Sequence, residues 1–230
     1  MQMLNHYTDF INRVEDLGFM FLSDIIPGLP SVSNETHENQ WHTGDPDTDP
    51  WQWKDRAAAE KQLAFGCLLG GNKGFISPRM YPYFLQAFQL KTDLEEVWVS
   101  GMLRPAVWEV WQYFEADGIL STSEIHKAWK ASGKKGTAAA DGALRELQML
   151  FLVTTAGNKQ RQDRFGQPFG WPSLLYEKTD DWIPESWKAG MEPISPMEAR
   201  QTILSAGIAM APMIGKEGIA KLLKFRPYSP

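Results

Sequence analysis

The sequence contains a single cysteine, Cys67, so no intrachain disulfide bond can form. A chain without disulfides is typical of a reducing compartment, and the apolar run around Cys67 indicates a buried structural thiol rather than a nucleophile. The first residues lack the basic and apolar segments of a secretory signal. The most apolar late segment, residues 203–215, is too short to cross a bilayer and contains Pro212. These absences predict a cytoplasmic protein that does not associate with membranes.

Motifs that bind metals or nucleotide phosphates are also missing. The stretch HTGDPDTDPWQWKDR, residues 42–56, places aspartates at the first three ligand positions of a calcium loop, but Pro50 replaces the glycine and Arg56 the final glutamate. No paired cysteine or histidine motif supports a transition-metal site. The segment GCLLGGNK resembles a phosphate-binding loop, but Asn72 stands where that motif needs lysine. We therefore expect neither a metal nor a cofactor.

Charge is present but unevenly distributed. The net charge of −5 argues against a protein that coats nucleic acid indiscriminately. Residues 1–55 contain two basic and ten acidic side chains, a balance of −8, whereas residues 121–170 contain eight basic and four acidic side chains, a balance of +4. The second region could therefore face phosphates and the first could not.

Hydrophobic periodicity in the first part of the chain predicts a mixture of helices and short strands. We expect an amphipathic helix over residues 7–17, a weakly helical segment over 53–65 and another helix over 79–89. Between them, the segment KQLAFGCLLGGNKGFISP indicates two short strands joined by residues 70–74.

The second part of the chain has clearer helix boundaries. A helix is predicted to start at Pro105 and end at Gly118. Ser121 and Glu124 form a capping-box pattern that opens a second helix, and a third helix is predicted over residues 137–150. A β-rich segment, the basic loop AGNKQRQDRFGQP and the strand-like WPSLLYEK follow.

Three helices followed by a β-hairpin are typical of a winged helix-turn-helix; a small helical subdomain with a solvated loop is the alternative. We therefore predict a helix-rich α+β protein with three parts. The first, residues 1–100, is an N-terminal α+β unit that contains the Trp/Pro-rich loop, with a winged-helix-like unit as the alternative. The winged helix-turn-helix unit, residues 101–190, packs on it, and residues 191–230 form a C-terminal extension with one helix over 198–224.

The third helix and the basic loop are the candidate DNA-binding elements. Thr137, Asp141, Arg145 and Gln148 recur at helical spacing, so we expect them to share an exposed face, from which Arg145 and Gln148 could contact base edges. Acidic Asp141 would repel phosphate, and winged helices also serve as protein-interaction or structural modules. The full set of predicted DNA-binding residues is Lys134, Lys135, Thr137, Arg145, Gln148, Lys159, Arg161 and Arg164.

The Trp/Pro-rich loop, residues 42–56, has two interpretations. In the first, Asp49 caps a helix that has Pro50 at its first position, and the tryptophans are buried. In the second, Trp51, Trp53 and Lys54 line a pocket for an aromatic base or small aromatic ligand. The weak candidates for a catalytic acid, base or water-positioning group are His42, Asp45 and Asp49.

Three parts of the sequence together resemble the AlkZ-related family. They are WHTGDPDTDPWQWKD at residues 41–55, GFISPRMYPYF at residues 74–84, and the predicted winged-helix block over residues 104–182. Members of this family are related to bacterial winged-helix DNA glycosylases that excise alkylated or crosslinked bases. The resemblance implies a compact assembly of winged-helix-like units that binds double-stranded DNA.

The resemblance also implies where a catalytic pair would be found. The glycosylases use a Gln-x-Gln or Gln-x-Asp pair in the first half of the chain to position water, whereas the Gln-x-Gln pair of this sequence, Gln160 and Gln162, lies in the basic loop. The catalytic role is therefore not transferred to it. We predict a DNA-binding protein related to alkylation-repair glycosylases but without their usual catalytic site. A glycosylase that excises damaged purines and a protein-interaction module are the alternatives.

Overall fold

A computed structural model describes residues 3–90, 92–188 and 194–225. The first part of the chain is a mixture of helices and short strands, as predicted. In chain order the elements are α1 (Tyr7–Leu17), β1 (Phe19–Phe21), a 3-10 turn (Glu38–Gln40), α2 (Pro50–Ala59), β2 (Ala64–Leu69), β3 (Asn72–Ile76), α3 (Tyr81–Phe88) and α4 (Leu94–Val99).

The second part of the chain contains three helices, then a hairpin, then further helices. Its elements are α5 (Pro105–Asp117), β4 (Leu120–Ser121), α6 (Thr122–Ala131), α7 (Ala138–Met149), β5 (Val153–Lys159), β6 (Ser173–Lys178), α8 (Thr179–Trp182), α9 (Glu185–Lys188), α10 (Pro196–Met210) and α11 (Gly215–Leu223). The predicted α+β class is confirmed.

Two small antiparallel sheets organise the described residues. The first has the strand order β1–β3–β2, and Phe19 and Ala64 both lie opposite Ile76 of the central strand. The second has the order β4–β6–β5, so that Tyr176 of the central strand lies opposite both Leu120 and Thr155. A register shift after Thr155 marks a bulge in β5.

Three apolar clusters stabilise these layers by removing large side chains from water. One lies between α1, α2 and the first sheet, with Phe10 and Trp53 at its centre. A second joins α5, α6 and α7 to the second sheet around Phe114. The third places Phe151 and Ile203 together and so packs the C-terminal helices on the rest of the protein.

The C-terminal prediction of one helix over residues 198–224 is wrong. The chain forms α10 and α11, which are bent by 117° relative to each other, because the helix ends before Pro212, which has no N–H to donate. In the described ranges no single helix is long and apolar enough to cross a membrane; α10 and α11 reach that length and composition only as this bent pair.

The bounds of α2 also differ from the prediction. The helix starts at Pro50 instead of residue 53 and ends at Ala59, and Phe65 belongs to β2. The start is set by Asp49, whose side chain accepts the N–H of Trp51. The predicted cap and the predicted proline at the first helical position are thus confirmed.

The turn between β2 and β3 docks on the C-terminal helix through Gly70. Its φ of +63° lies in the left-handed region, and an added Cβ would overlap the carbonyl oxygen of Leu222. We predict that Gly70→Ala destabilises the protein by about 2–5 kcal/mol, the sum of about 1–2 for the conformation and about 1–3 for the overlap. Chemical denaturation measures this difference.

Gly166 is the matched control for this substitution. Its φ is +79°, but an added Cβ would meet nothing within 4 Å. Gly166→Ala should therefore lose only the conformational contribution. Equal losses at the two positions would contradict the docking of the turn on α11.

Candidate nucleic-acid interface

The first turns of α7 present an exposed surface. Ala138 and Ala139 are exposed, and the carboxylate of exposed Asp141 lies 2.6 Å from the Nε2 atom of His126. This contact occupies the acidic group that would otherwise repel phosphate. Thr137 is half-buried at the N-cap position, which keeps it next to this surface.

Arg145 lies further along the same face of α7. It is exposed, and its guanidinium lies so close to the β2–β3 turn that a Cβ added to Gly71 would be 2.9 Å from its Nε atom. In the ranges that the structure describes, Arg145 has no carboxylate partner within ion-pair distance. The helix therefore holds an uncompensated cation where the two halves of the chain meet.

Gln148 does not share this exposed face, so its predicted exposure is wrong. Its side chain is buried, its Oε1 accepts the backbone N–H of Cys67 at 3.0 Å, and its Nε2 donates to the carbonyl of Leu144. The reason is that the C-terminal half of α7 packs against β2. Burial also raises the pKa of the Cys67 thiol, which disfavours the reactive thiolate.

The lysines before α7 differ in their surroundings. Lys134 forms an ion pair with Glu109, and its Nζ lies 4.2 Å from the centre of the Trp129 ring. Lys135 is exposed and has no ion-pair partner among the described residues. Lys135 is thus the more available of the two for an external anion.

The loop between β5 and β6, residues 160–172, carries the remaining predicted cations. Lys159, at its start, pairs with Glu124 at 3.0 Å. The guanidinium groups of Arg161 and Arg164 lie over the rings of Phe169 and Phe165, at 4.8 Å and 4.6 Å. Within the described ranges neither arginine forms an ion pair.

Glu124 remains charged beside this loop. Hydrogen bonds from the Ser121 hydroxyl and N–H, followed by the ammonium of Lys159, lower its pKa to about 2. It completes the capping box of α6 that the sequence predicted. Its charge is therefore already compensated by its own neighbours.

In the Trp/Pro-rich loop the two tryptophans occupy different environments. Trp53 is fully buried, stacks on Phe10 at 5.4 Å and donates its indole N–H to the carbonyl of Asp47. Trp51 is half-buried, and the Nζ atom of Lys54 lies 4.3 Å from the centre of its ring. Only Trp51 of the pair thus has a ring face near the surface.

Lys54 is itself buried, at 3% exposure, and forms an ion pair with Asp55 at 2.7 Å. Burial lowers the pKa of Lys54, and Asp55 opposes that effect. The second oxygen of Asp55 accepts the side-chain N–H of Asn158 in β5 at 2.8 Å. The predicted pocket residues Trp53 and Lys54 are therefore part of the interior of the protein.

Two aspartates of this loop, Asp45 and Asp49, bind its own backbone. One oxygen of Asp49 accepts the N–H groups of His42 and Trp51, the other accepts the N–H of Gly44, and the side chain is fully buried. Asp45 accepts the N–H of Asp47. Asp49 is therefore inaccessible to a ligand in this structure, and its carboxylate holds the loop backbone.

His42 connects this loop to the β5–β6 hairpin. It is exposed, adopts a φ of +64°, and its ring lies 5.1 Å from that of Trp51 and 5.7 Å from that of Trp171. Sequence reasoning missed Trp171, which it assigned to a strand. The available signal was a large aromatic residue at the end of a polar, glycine-containing loop.

The described residues contain no group of three or more histidine, cysteine, aspartate or glutamate side chains that could hold a metal ion. A family model described as AlkZ related matches residues 4–224 of the chain. No curated protein and no solved structure matches it.

The buried position of Gln148 leads to a prediction for Gln148→Leu. The substitution leaves the N–H of Cys67 without its acceptor, so we expect a loss of about 1–3 kcal/mol in unfolding free energy. Gln112→Leu on the exposed surface of α5 is the control and should change stability by less than about 0.5 kcal/mol. If Gln148→Leu leaves stability unchanged and weakens DNA binding, the result would instead support a contact between Gln148 and base edges.

Proposed function

The chain belongs to the AlkZ-related family, and on this premise we propose that it is a winged-helix protein that binds double-stranded DNA. The element order supports the winged-helix assignment: α5, α6 and α7 are followed by the β5–β6 hairpin, and the short strand β4 pairs with β6. In such folds the third helix enters the major groove and the hairpin lies along a neighbouring backbone.

The observation that carries the proposal is the position of four exposed cations that have no carboxylate partner among the described residues. Lys135 and Arg145 belong to the turn before α7 and to its exposed face, and Arg161 and Arg164 belong to the hairpin loop. A winged helix uses these two elements to contact DNA, and positive side chains on them are suited to phosphate contacts.

The acidic first part of the chain does not oppose this arrangement, because several of its charges are compensated internally. Fully buried Glu35 forms a two-point ion pair with Arg13. Asp49 accepts backbone N–H groups, and Asp55 pairs with Lys54. These three carboxylates therefore add no unpaired negative charge that would oppose the cations at the hairpin and at the start of α7.

We further propose that the protein lacks glycosylase activity. The amide nitrogen of Gln160 donates to the carbonyls of Phe169 and Gly170, at 3.2 Å each. This nitrogen therefore stabilises the loop and is not free to position a water molecule. Gln162 forms a backbone bridge with Pro168. Both oxygens of Asp49 and one oxygen of Asp45 accept backbone N–H groups of their own loop.

The DNA-binding proposal predicts the salt dependence of a double variant. Log K falls as log salt rises, and each phosphate contact adds about 0.9 to the magnitude of that negative slope. Lys135→Ala/Arg164→Ala should therefore reduce the slope measured with a fully paired duplex by about 2. Lys216→Ala/Lys221→Ala, which removes two exposed cations of α11, is the control and should leave the slope unchanged. If Lys135→Ala/Arg164→Ala has the same slope as wild type, these two cations do not contact DNA phosphates.

The second part of the proposal predicts that no base is excised. Duplexes that carry methylated purines, incubated with the protein and heated in alkali, should show no strand breaks above the background. Breaks produced by wild type and lost in Gln160→Ala or in Asp45→Asn would instead establish the glycosylase alternative.

A further inference from the structure

The exposed aromatic side chains of the described residues are confined to one loop. Phe165 is 71% exposed, Phe169 43% and Trp171 66%, and all three lie between β5 and β6. The other exposed large apolar side chains in the described ranges are aliphatic or methionine. Exposed rings concentrated in a short segment indicate a binding surface.

Two hollows lie at this loop and share a wall. The larger, of about 540 Å³, is lined by Phe169, and the smaller, of about 320 Å³, by Trp171. Arg161, Ser123 and Ser173 line both hollows. One cation and two hydroxyl groups thus lie between two aromatic side chains.

The side chains at and beside the shared wall of the two hollows are suited to bind two consecutive nucleotides. Every nucleobase has a π-face that stacks on an aromatic ring, and hollows of 300–1,000 Å³ are of the size that encloses small organic ligands. A guanidinium is suited to the phosphate that joins two nucleotides. In the described ranges Arg161 has no ion-pair partner, and its guanidinium lies 4.8 Å from the centre of the Phe169 ring, next to the position of the first base.

The carboxylates near the hollows do not prevent this contact. Glu124 lines the larger hollow but is bound by Ser121 and Lys159. Asp141 contacts His126, which lines the smaller hollow. Both negative charges therefore already have partners at hydrogen-bond distance.

We propose that the β5–β6 loop binds two consecutive unpaired nucleotides, one base against Phe169 and the next against Trp171, with Arg161 on the phosphate between them. The ligand identity rests on the proposed DNA-binding function. Bases of an intact duplex are stacked on one another and cannot enter the hollows. The protein should therefore prefer DNA in which two adjacent bases are unpaired.

Fluorescence anisotropy with a labelled duplex and with the same duplex carrying a two-nucleotide bulge tests this preference. We expect the full chain to bind the bulged duplex about a hundredfold more tightly, about tenfold for each of the two stacking contacts. Trp171→Ala and Phe169→Ala should each remove most of that ratio, and Trp171→Phe should retain part of it.

Phe165→Ala is the matched control, since Phe165 is exposed and lies under Arg164 but lines neither hollow. It should keep the preference for the bulged duplex. Circular dichroism on each variant distinguishes lost stacking from lost folding, and these rings are exposed enough for the variants to fold.

The outcomes separate this inference from the proposed function. Equal affinity for both DNAs, with duplex binding intact, overturns the inference alone. Absence of binding to either DNA overturns both. A preference that persists in Trp171→Ala and Phe169→Ala moves the site elsewhere. A further outcome is that wild type shows no DNA preference and self-associates in a way that Trp171→Ala abolishes. That result would mean that the loop binds a second copy of the chain.

Discussion

The attachment of the β5–β6 hairpin to α2 determines where the candidate interface lies. At its centre the buried carboxylate of Asp55 binds Lys54 with one oxygen and Asn158 of β5 with the other. A buried ion pair is stable only when further hydrogen bonds satisfy its remaining atoms, and Asn158 supplies one. Beside it Gly157 approaches Ala59 so closely that an added Cβ would lie 3.1 Å from the Ala59 Cβ.

This attachment gives the Trp/Pro-rich loop a structural role next to the proposed binding surface. The loop uses Asp49 to hold its backbone and Trp53 to fill the core, so its aromatic surface is limited to the rings of Trp51 and His42. Those rings contact Trp171 at the end of the hairpin loop. The first half of the chain therefore contacts Trp171, one of the three aromatic residues that the hairpin loop exposes.

The sequence predicted the local structure better than the tertiary contacts. Capping at Asp49 and Ser121 was predictable, because a cap is a local pattern of a few residues. The burial of Gln148 was not, because helical periodicity places it beside Arg145 and only the packing of β2 separates the two. The contact of Trp171 with His42 joins residues far apart in the sequence, and no local pattern encodes such a pair.

Hydrogen–deuterium exchange of the full chain with and without duplex DNA tests the central claim most directly, because exchange reports on each backbone segment. The account predicts slower exchange in the β5–β6 loop and in the turn before α7, and unchanged exchange in α10 and α11. Protection confined to the C-terminal helices, or no protection in the loop at a DNA concentration that saturates binding, would contradict it.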